Sequence, residues 1–239
     1  MNCVLIKMGG KGVRFGSSTP KQFYEIDGEP LFAYVLKKYN EIRKIDSFVI
    51  VTNEEWMEMT TYYAKKILGN KLLAIIPGGK TNAKSTYNGV MCAKKYLKNN
   101  DILLVHDVTD AIISERAIDK AISACQRYKC VAVITEQVHT LYKKTEDGFI
   151  DGTIEKKTVG SGYSPEAFEY GIIKECYLNA TESELENMTS AMALVQAHGY
   201  RPYTVISHQI DIKITYQEDM DALKCVIKSG ENLYKEKMS

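Results

Sequence analysis

At 239 residues, with 45% hydrophobic and 26% charged side chains, the chain has ordinary soluble-globular composition and is long enough to bury one sizeable core. Thirty-one Lys and Arg against thirty Asp and Glu leave a net charge of +1, and no long basic run or stripe is present, which argues against a nucleic-acid partner. Met1 to Met8 carries only a short apolar stretch that runs into glycines, neither a signal-peptide core nor a membrane span, so no membrane partner and a cytoplasmic location are expected.

Along the chain, apolar runs of strand length recur at Cys3 to Ile6, Phe48 to Val51, Leu72 to Ile76, Ile102 to Val105 and Val131 to Ile134. Helix-period segments lie between them: Pro30 to Tyr39, Glu54 to Leu68 ended by Gly69, Ala83 to Leu97, and Ser114 to Arg127 behind a serine N-cap. This alternation predicts an α/β fold, a mostly parallel sheet flanked by helices, with ligands bound beyond the carboxyl ends of the strands. From about 137 to 162 the texture turns polar and glycine-punctuated, with two β-like pieces at Thr140 to Lys143 and Phe149 to Ile154. That segment reads as an arm protruding from a single domain. A helix over Glu182 to His198, with Ser183 and Glu186 at capping-box spacing, strands near Tyr203 to Ile206 and Ile210 to Ile214, and a last helix from Thr215 with Glu218 three residues on complete the pattern. The six cysteines, Cys3, Cys92, Cys125, Cys130, Cys176 and Cys225, form no C-x-x-C pair and read as reduced core residues.

The first strand delivers Met8-Gly9-Gly10-Lys11-Gly12-Val13-Arg14-Phe15-Gly16, followed by Pro20-Lys21-Gln22. Three glycines let backbone N–H groups approach phosphate oxygens, and Arg14 and Lys21 bring two positive charges to the same group. Taken alone, an ordinary glycine-rich turn explains the same residues. The loop lacks G-K-[ST] and is not G-x-G-x-x-G, which argues against kinase-like ATP hydrolysis and Rossmann dinucleotide binding. Asp107 follows a buried apolar strand at its carboxyl end, where a carboxylate is costly unless it faces a ligand; a turn aspartate is the bland alternative. His106 reads as a structural histidine rather than a base.

Gly9-Gly10-x-Gly12-x-Arg14 and Pro20-Lys21-Gln22-Phe23 closely resemble the signature loop of the methylerythritol-phosphate and ribitol-phosphate cytidylyltransferases. The resemblance continues in order through nearly the whole chain. It implies a Rossmann-like nucleotidyltransferase that transfers CMP from CTP to a phosphorylated acceptor, with Mg²⁺ as cofactor and release of pyrophosphate. It further implies that Met8, Gly9, Gly10, Lys11 and Gly12 wrap the triphosphate, that Arg14 and Lys21 stabilise charge at the α-phosphorus, and that Lys213 steadies either the acceptor phosphate or the α-phosphate. Gly78, Gly79 and Ser85 match the motif that holds the cytosine base, and Asp107 matches the Mg²⁺ ligand, with Asp211 a second candidate. Thr140, Lys156, Ser164 and Thr189 fall on acceptor-contacting positions. Lys156 stands where the family places an arginine that reaches into a partner subunit, so a homodimer through the arm is implied.

The departures fall on the acceptor side. The arginine of the resembled H-D-x-x-R-P motif is Asp110, the second glycine motif has Asn82 for arginine, the arm threonine follows His139, Lys156 replaces arginine, T-P-Q-x-F reads Ser164-Pro165-Glu166-Ala167-Phe168, and T-D reads Thr189-Ser190. A changed acceptor and a catalytically weakened relative both explain them. Survival of the loop cations and Asp107 favours an active enzyme with an altered acceptor, such as ribitol 5-phosphate or another surface-polysaccharide precursor. Methylerythritol phosphate and a non-catalytic nucleotide-binding role remain the alternatives.

Overall fold

The computed structural model describes residues 1–10, 19–208 and 212–229. In chain order these form β1 (Asn2–Met8), the short pair β2 (Glu25–Ile26) and β3 (Glu29–Pro30), α1 (Leu31–Glu41), β4 (Ser47–Thr52), α2 (Met57–Leu68), β5 (Leu72–Pro77), α3 (Asn82–Ala93), β6 (Ile102–Asp107), α4 (Glu115–Tyr128) and β7 (Cys130–Glu136). They continue with β8 (Leu141–Lys144), β9 (Ile150–Ile154), β10 (Gly160–Glu169), α5 (Tyr170–Asn179), α6 (Glu182–Asn187), α7 (Ala191–Ala197), β11 (Tyr203–Ile206) and α8 (Gln217–Lys228). The main sheet runs β11-β7-β10-β6-β1-β4-β5. Its pairs are parallel except at β10, which is antiparallel to both β6 and β7.

The period-2 alternation of the buried strands sorts the core onto two faces. Val4, Ile6, Phe48, Ile50 and Leu104 pack with Phe32, Val35, Leu36, Ile118 and Ile122 of α1 and α4 on one side. Leu5, Val49, Val51, Leu103 and Val105 meet Val90, Ile173, Tyr177 and Leu194 of α3, α5 and α7 on the other. At Gly89 a Cβ would run into the Leu5 side chain, so glycine is what lets α3 lie this close to β1. Local signals end the helices as the sequence indicates: Ser114 Oγ accepts from Ala117 N–H at 3.2 Å, and Gly69 takes φ +52° after α2. None of the described helices is long and apolar enough to cross a membrane.

Four expectations change. The helix expected over Glu182–His198 is two helices, because Met188 and Ser190 are extended; Ser190 Oγ caps α7 through Ala193 N–H, and the capping box is Thr181 with Glu184. Residues 160–162 belong to β10, paired with β7, so the arm hairpin β8–β9 ends before them. The strand expected over Ile210–Ile214 reduces, among the described residues, to a bridge between Lys213 and Asp110. The last helix starts at Gln217, and Asp219 rather than Glu218 accepts from the N–H groups of Thr215 and Tyr216, at 2.8 and 2.7 Å.

Candidate active site

The carboxyl ends of β1, β4, β5 and β6 open onto a cavity of about 650 Å³. Met8, Gly9 and Gly10 form one wall, Gly78 to Asn82 and Ser85 the facing one, and Asp107, Lys21 and Lys213 stand between them. Gln22 fixes the first loop by donating from Nε2 to the carbonyls of Met8 (2.8 Å) and Gly10 (2.6 Å). The second loop leaves β5 through Gly78, whose N–H donates to Thr52 O at 2.8 Å, and is held by Gly79 N–H donating to Ser85 Oγ at 3.0 Å. A Cβ on Gly78 would stand 3.2 Å from that same Ser85 oxygen. The second loop is therefore preformed and narrow, and Gln22 fixes the described start of the first.

A second cavity, of about 200 Å³, adjoins the first and shares Lys7, Asn82, Asp107 and Lys213 with it. Its remaining wall includes Asp110, Ser164, Glu166, Thr189 and Ser190. Antiparallel β10 brings Ser164 and Glu166 alongside β6, and the break between α6 and α7 brings Thr189 and Ser190 across from them.

Electrostatics concentrate at the seam between the cavities. Lys213 Nζ lies 3.0 Å from Asp110 Oδ1 and 3.4 Å from Asp107 Oδ2. Asp110 is buried, and its Oδ2 accepts from Ser164 N–H at 3.1 Å. Asp107 N–H donates to Ser164 Oγ at 2.9 Å, while Asp107 Oδ1 accepts from the Thr109 hydroxyl at 2.9 Å. Burial alone would raise the Asp107 pKa, but Lys213, Lys7 and the Thr109 donors outweigh it and hold it at about 2. Asp107 is thus a permanent carboxylate facing the larger cavity. Burial works against the charge of Lys213 as well, yet the two aspartates raise its pKa, so it is a permanent cation. Lys21 Nζ donates to the carbonyl of Ile214, tying the first loop to the Lys213 segment. His106 is fully buried with Nδ1 2.9 Å from the Tyr39 hydroxyl; burial outweighs the pull of Asp110 and Asp107 and pushes its pKa down to about 4. It is a neutral imidazole at pH 7 and faces neither cavity.

The structure thus gathers Met8, Gly9, Gly10, Lys21, Gly78, Gly79, Ser85, Asp107 and Lys213 around the larger cavity, and Asp110, Ser164 and Thr189 around the smaller. Thr140 and Lys156 line neither: they are exposed on the arm, where Lys156 Nζ donates to Val138 O at 3.2 Å. Lys11, Gly12, Arg14 and Asp211 lie outside the described residues. Lys7 joins the site without having been singled out, and Glu166 and Ser190, named in the sequence only as departures from the resembled motifs, join it as well. Lys7 Nζ donates to Asn82 Oδ1 at 2.8 Å, and Asn82 Nδ2 to Thr189 O at 2.9 Å, so one chain of contacts crosses the seam. A lysine ending an otherwise apolar strand was the available signal.

Among the described residues, no group of three or more His, Cys, Asp or Glu side chains is arranged to hold a metal. The donor set fits Mg²⁺ in its phosphate-bound mode, which requires only one or two protein carboxylates beside phosphate oxygens and water. Asp107, ionised and facing a cavity wide enough for a nucleotide, meets that requirement.

Over residues 2–229 the chain matches the IspD family model, 2-C-methyl-D-erythritol 4-phosphate cytidylyltransferase. It is 29% identical over 229 residues to the 2-C-methyl-D-erythritol 4-phosphate cytidylyltransferase of Clostridium novyi (strain NT), covering 95% of this chain and 97% of that protein. It is 28% identical to the ribitol-5-phosphate cytidylyltransferase of Vibrio parahaemolyticus, covering 98% of each. In fold it resembles the 4-diphosphocytidyl-2C-methyl-D-erythritol synthase of Anaerococcus prevotii, with a TM-score of 0.78 at 22% identity over 95% of this chain and 96% of that one.

Proposed function

Because the chain belongs to the 2-C-methyl-D-erythritol 4-phosphate cytidylyltransferase family, we propose that it transfers CMP from CTP to a phosphorylated polyol, with the nucleotide in the larger cavity and the acceptor in the smaller. The observation that carries this reading is the pair of adjoining cavities with Lys7, Asp107 and Lys213 on their shared seam. Any reaction between a molecule in each must take place there.

An acceptor phosphate monoester has its second pKa near about 6 and is a dianion at neutral pH, so no general base is required. Its oxygen attacks the α-phosphorus of CTP. The bond from that phosphorus to the β-phosphate bridging oxygen breaks, and the electron pair leaves with pyrophosphate. The chain contributes placement and positive charge. Gly9, Gly10, Gly78 and Gly79 allow close approach to the nucleotide, with Ser85 beneath the second loop. Lys21 and Lys213, joined by Arg14 of the first loop, stabilise charge at the α-phosphorus, and Lys7 steadies the acceptor phosphate from the seam. Asp107, with Asp211 as a second candidate, would hold a Mg²⁺ ion whose charge offsets that of the leaving phosphates.

The acceptor we favour is the phosphate of an uncharged polyol, such as ribitol 5-phosphate, feeding surface-polysaccharide synthesis, since the chain carries Asp110 where the resembled motif has arginine. We assign Asp110, Ser164 and Thr189 to its tail. Thr140 and Lys156 complete the acceptor site of a second copy in a homodimer. Support for the dimer comes from the hairpin β8–β9, which exposes Tyr142, Phe149 and Ile150, with Phe149 at 71%, and from the segment leading into it, which exposes Val138. Two strands alone are marginal in water, and this much apolar surface favours a cover.

The test is pyrophosphate release from CTP with Mg²⁺ and a panel of polyol phosphates. Release confined to one or two acceptors, and lost in Lys21→Ala, is expected. Tight CTP binding without release across the panel contradicts the reading.

A further inference from the structure

The smaller cavity has an uneven distribution of charge. Its two cations among the described residues, Lys7 and Lys213, stand on the seam shared with the larger cavity, and both are engaged, Lys213 by Asp107 and Asp110 and Lys7 by the Asn82 side chain. Beyond the seam, the charged side chains that the described residues of one chain place on its wall are two carboxylates, Asp110 and Glu166. The Asn82 amide is spent on Thr189 O and the Ser164 N–H on Asp110. Glu166 is held in place at the start of α7, with both carboxylate oxygens 3.3 Å from Met192 N–H. Burial raises its pKa, against the opposing pull of Lys7 and the Ser190, Met192 and Ala191 donors. A molecule entering phosphate-first places its anion at the seam and its far end among hydrogen-bond acceptors. The space is small, about 200 Å³, where a cavity of about 150 Å³ accommodates a six-carbon ring.

We propose that Asp110 and Glu166 are specificity-determining residues of this cavity, selecting an acceptor whose unphosphorylated end donates hydrogen bonds from hydroxyl or amine groups and rejecting one that ends in a second anion. This rests on the assignment of the smaller cavity to the acceptor. A terminal carboxylate would be desolvated against like charge, whereas a terminal hydroxyl or ammonium finds acceptors already oriented.

The experiment compares kcat/KM for ribitol 5-phosphate, its terminal acid 5-phosphoribonate, and a terminal-amine analogue of the same length. The expected result is at least about a hundredfold preference for ribitol 5-phosphate over the acid, the scale of a like-charge contact of several kcal/mol, with the amine favoured over the acid as well. Whichever of hydroxyl and amine is preferred identifies the donor. Glu166→Gln and Asp110→Asn each keep a carbonyl oxygen for Met192 or Ser164 N–H while removing the charge. Each is expected to narrow the hydroxyl-to-acid ratio about tenfold, and a ratio measured on one preparation cancels any loss of folded protein. Acid and polyol used within threefold of each other, or a ratio unchanged in both variants, overturns the proposal. Titrating the same phosphates into the protein by calorimetry reads the preference without turnover. Retained preference with no CMP transfer counts against the transferase reading while supporting the charge selection; equal affinities count against the selection whatever the turnover.

Discussion

Substituting Gly79 by alanine perturbs the nucleotide cavity at one defined point. A Cβ there would stand 2.5 Å from Lys84 Cβ and 2.8 Å from the Lys84 carbonyl carbon, the second of which belongs to the backbone of α3 and cannot turn aside. Restoring ordinary contact means moving the loop by about 1 Å, a displacement large enough to weaken a positioned site severely. The same movement breaks the Gly79 N–H to Ser85 Oγ hydrogen bond of 3.0 Å, worth about 1 kcal/mol net. Overpacking plus the lost bond amounts to about 2 kcal/mol, or a Kd for CTP weakened about thirtyfold. Ser85→Ala, which loses the bond without the clash, should weaken CTP by about fivefold. The loop lies outside both apolar clusters, so melting temperature should fall by only a few degrees in either variant. Isothermal titration with CTP reads the two constants. A Gly79→Ala protein that binds CTP within twofold of the parent, or better than Ser85→Ala does, refutes the reasoning.

Lys21→Ala and Lys213→Ala should each lower kcat by about 10²-fold or more, the scale of removing one charge-stabilising donor, with smaller changes in CTP affinity; steady-state pyrophosphate assays check this. Burial pushes the thiol pKa values of Cys3, Cys125 and Cys130 up to about 12. A raised folded-state value means their stabilising contribution is complete below the unfolded value of about 8.5 and is lost as pH climbs towards 12. The urea midpoint should therefore decline above about pH 9, and a thiol reagent should label exposed Cys225 well before these three; a midpoint flat to high pH contradicts this. For the proposed homodimer, paired Phe149→Asp and Ile150→Asp substitutions should shift light-scattering mass from dimer to monomer and reduce transfer; a parent protein that is monomeric, or a variant whose mass and transfer are unchanged, contradicts that proposal.

Much of the fold is legible in the chain because the buried parallel strands are unbroken apolar runs separated by capped helices. β1, β4, β6 and β7 all fall where those runs do. β10 is not, because Gly160, Gly162 and Pro165 interrupt its alternation and its partners β6 and β7 lie more than 20 residues away in sequence for much of the ladder. The break at Met188–Ser190 is hidden by the apolar periodicity that α6 and α7 share, although Ser190 supplies the cap that makes it. In the site, Gly78 and Gly79 of the loop and Ser85 of α3 are readable because their motif is local. The pairing of Lys213 with Asp110 spans 103 positions and leaves no local trace. Lys7 and Glu166 gain meaning only once the sheet brings β1 and β10 to one cavity.

Cytidylyl transfer across that seam is tested most directly by ³¹P NMR of the protein incubated with CTP, Mg²⁺ and ribitol 5-phosphate. The expected spectrum shows the monoester resonance of the acceptor replaced by two coupled resonances of a new diphosphate bridge, with inorganic pyrophosphate appearing in equal amount. CMP and pyrophosphate without a new diphosphate would mean hydrolysis, and an unchanged spectrum with CTP bound would mean no transfer to this polyol; either result, extended to the remaining polyol phosphates, would contradict the account.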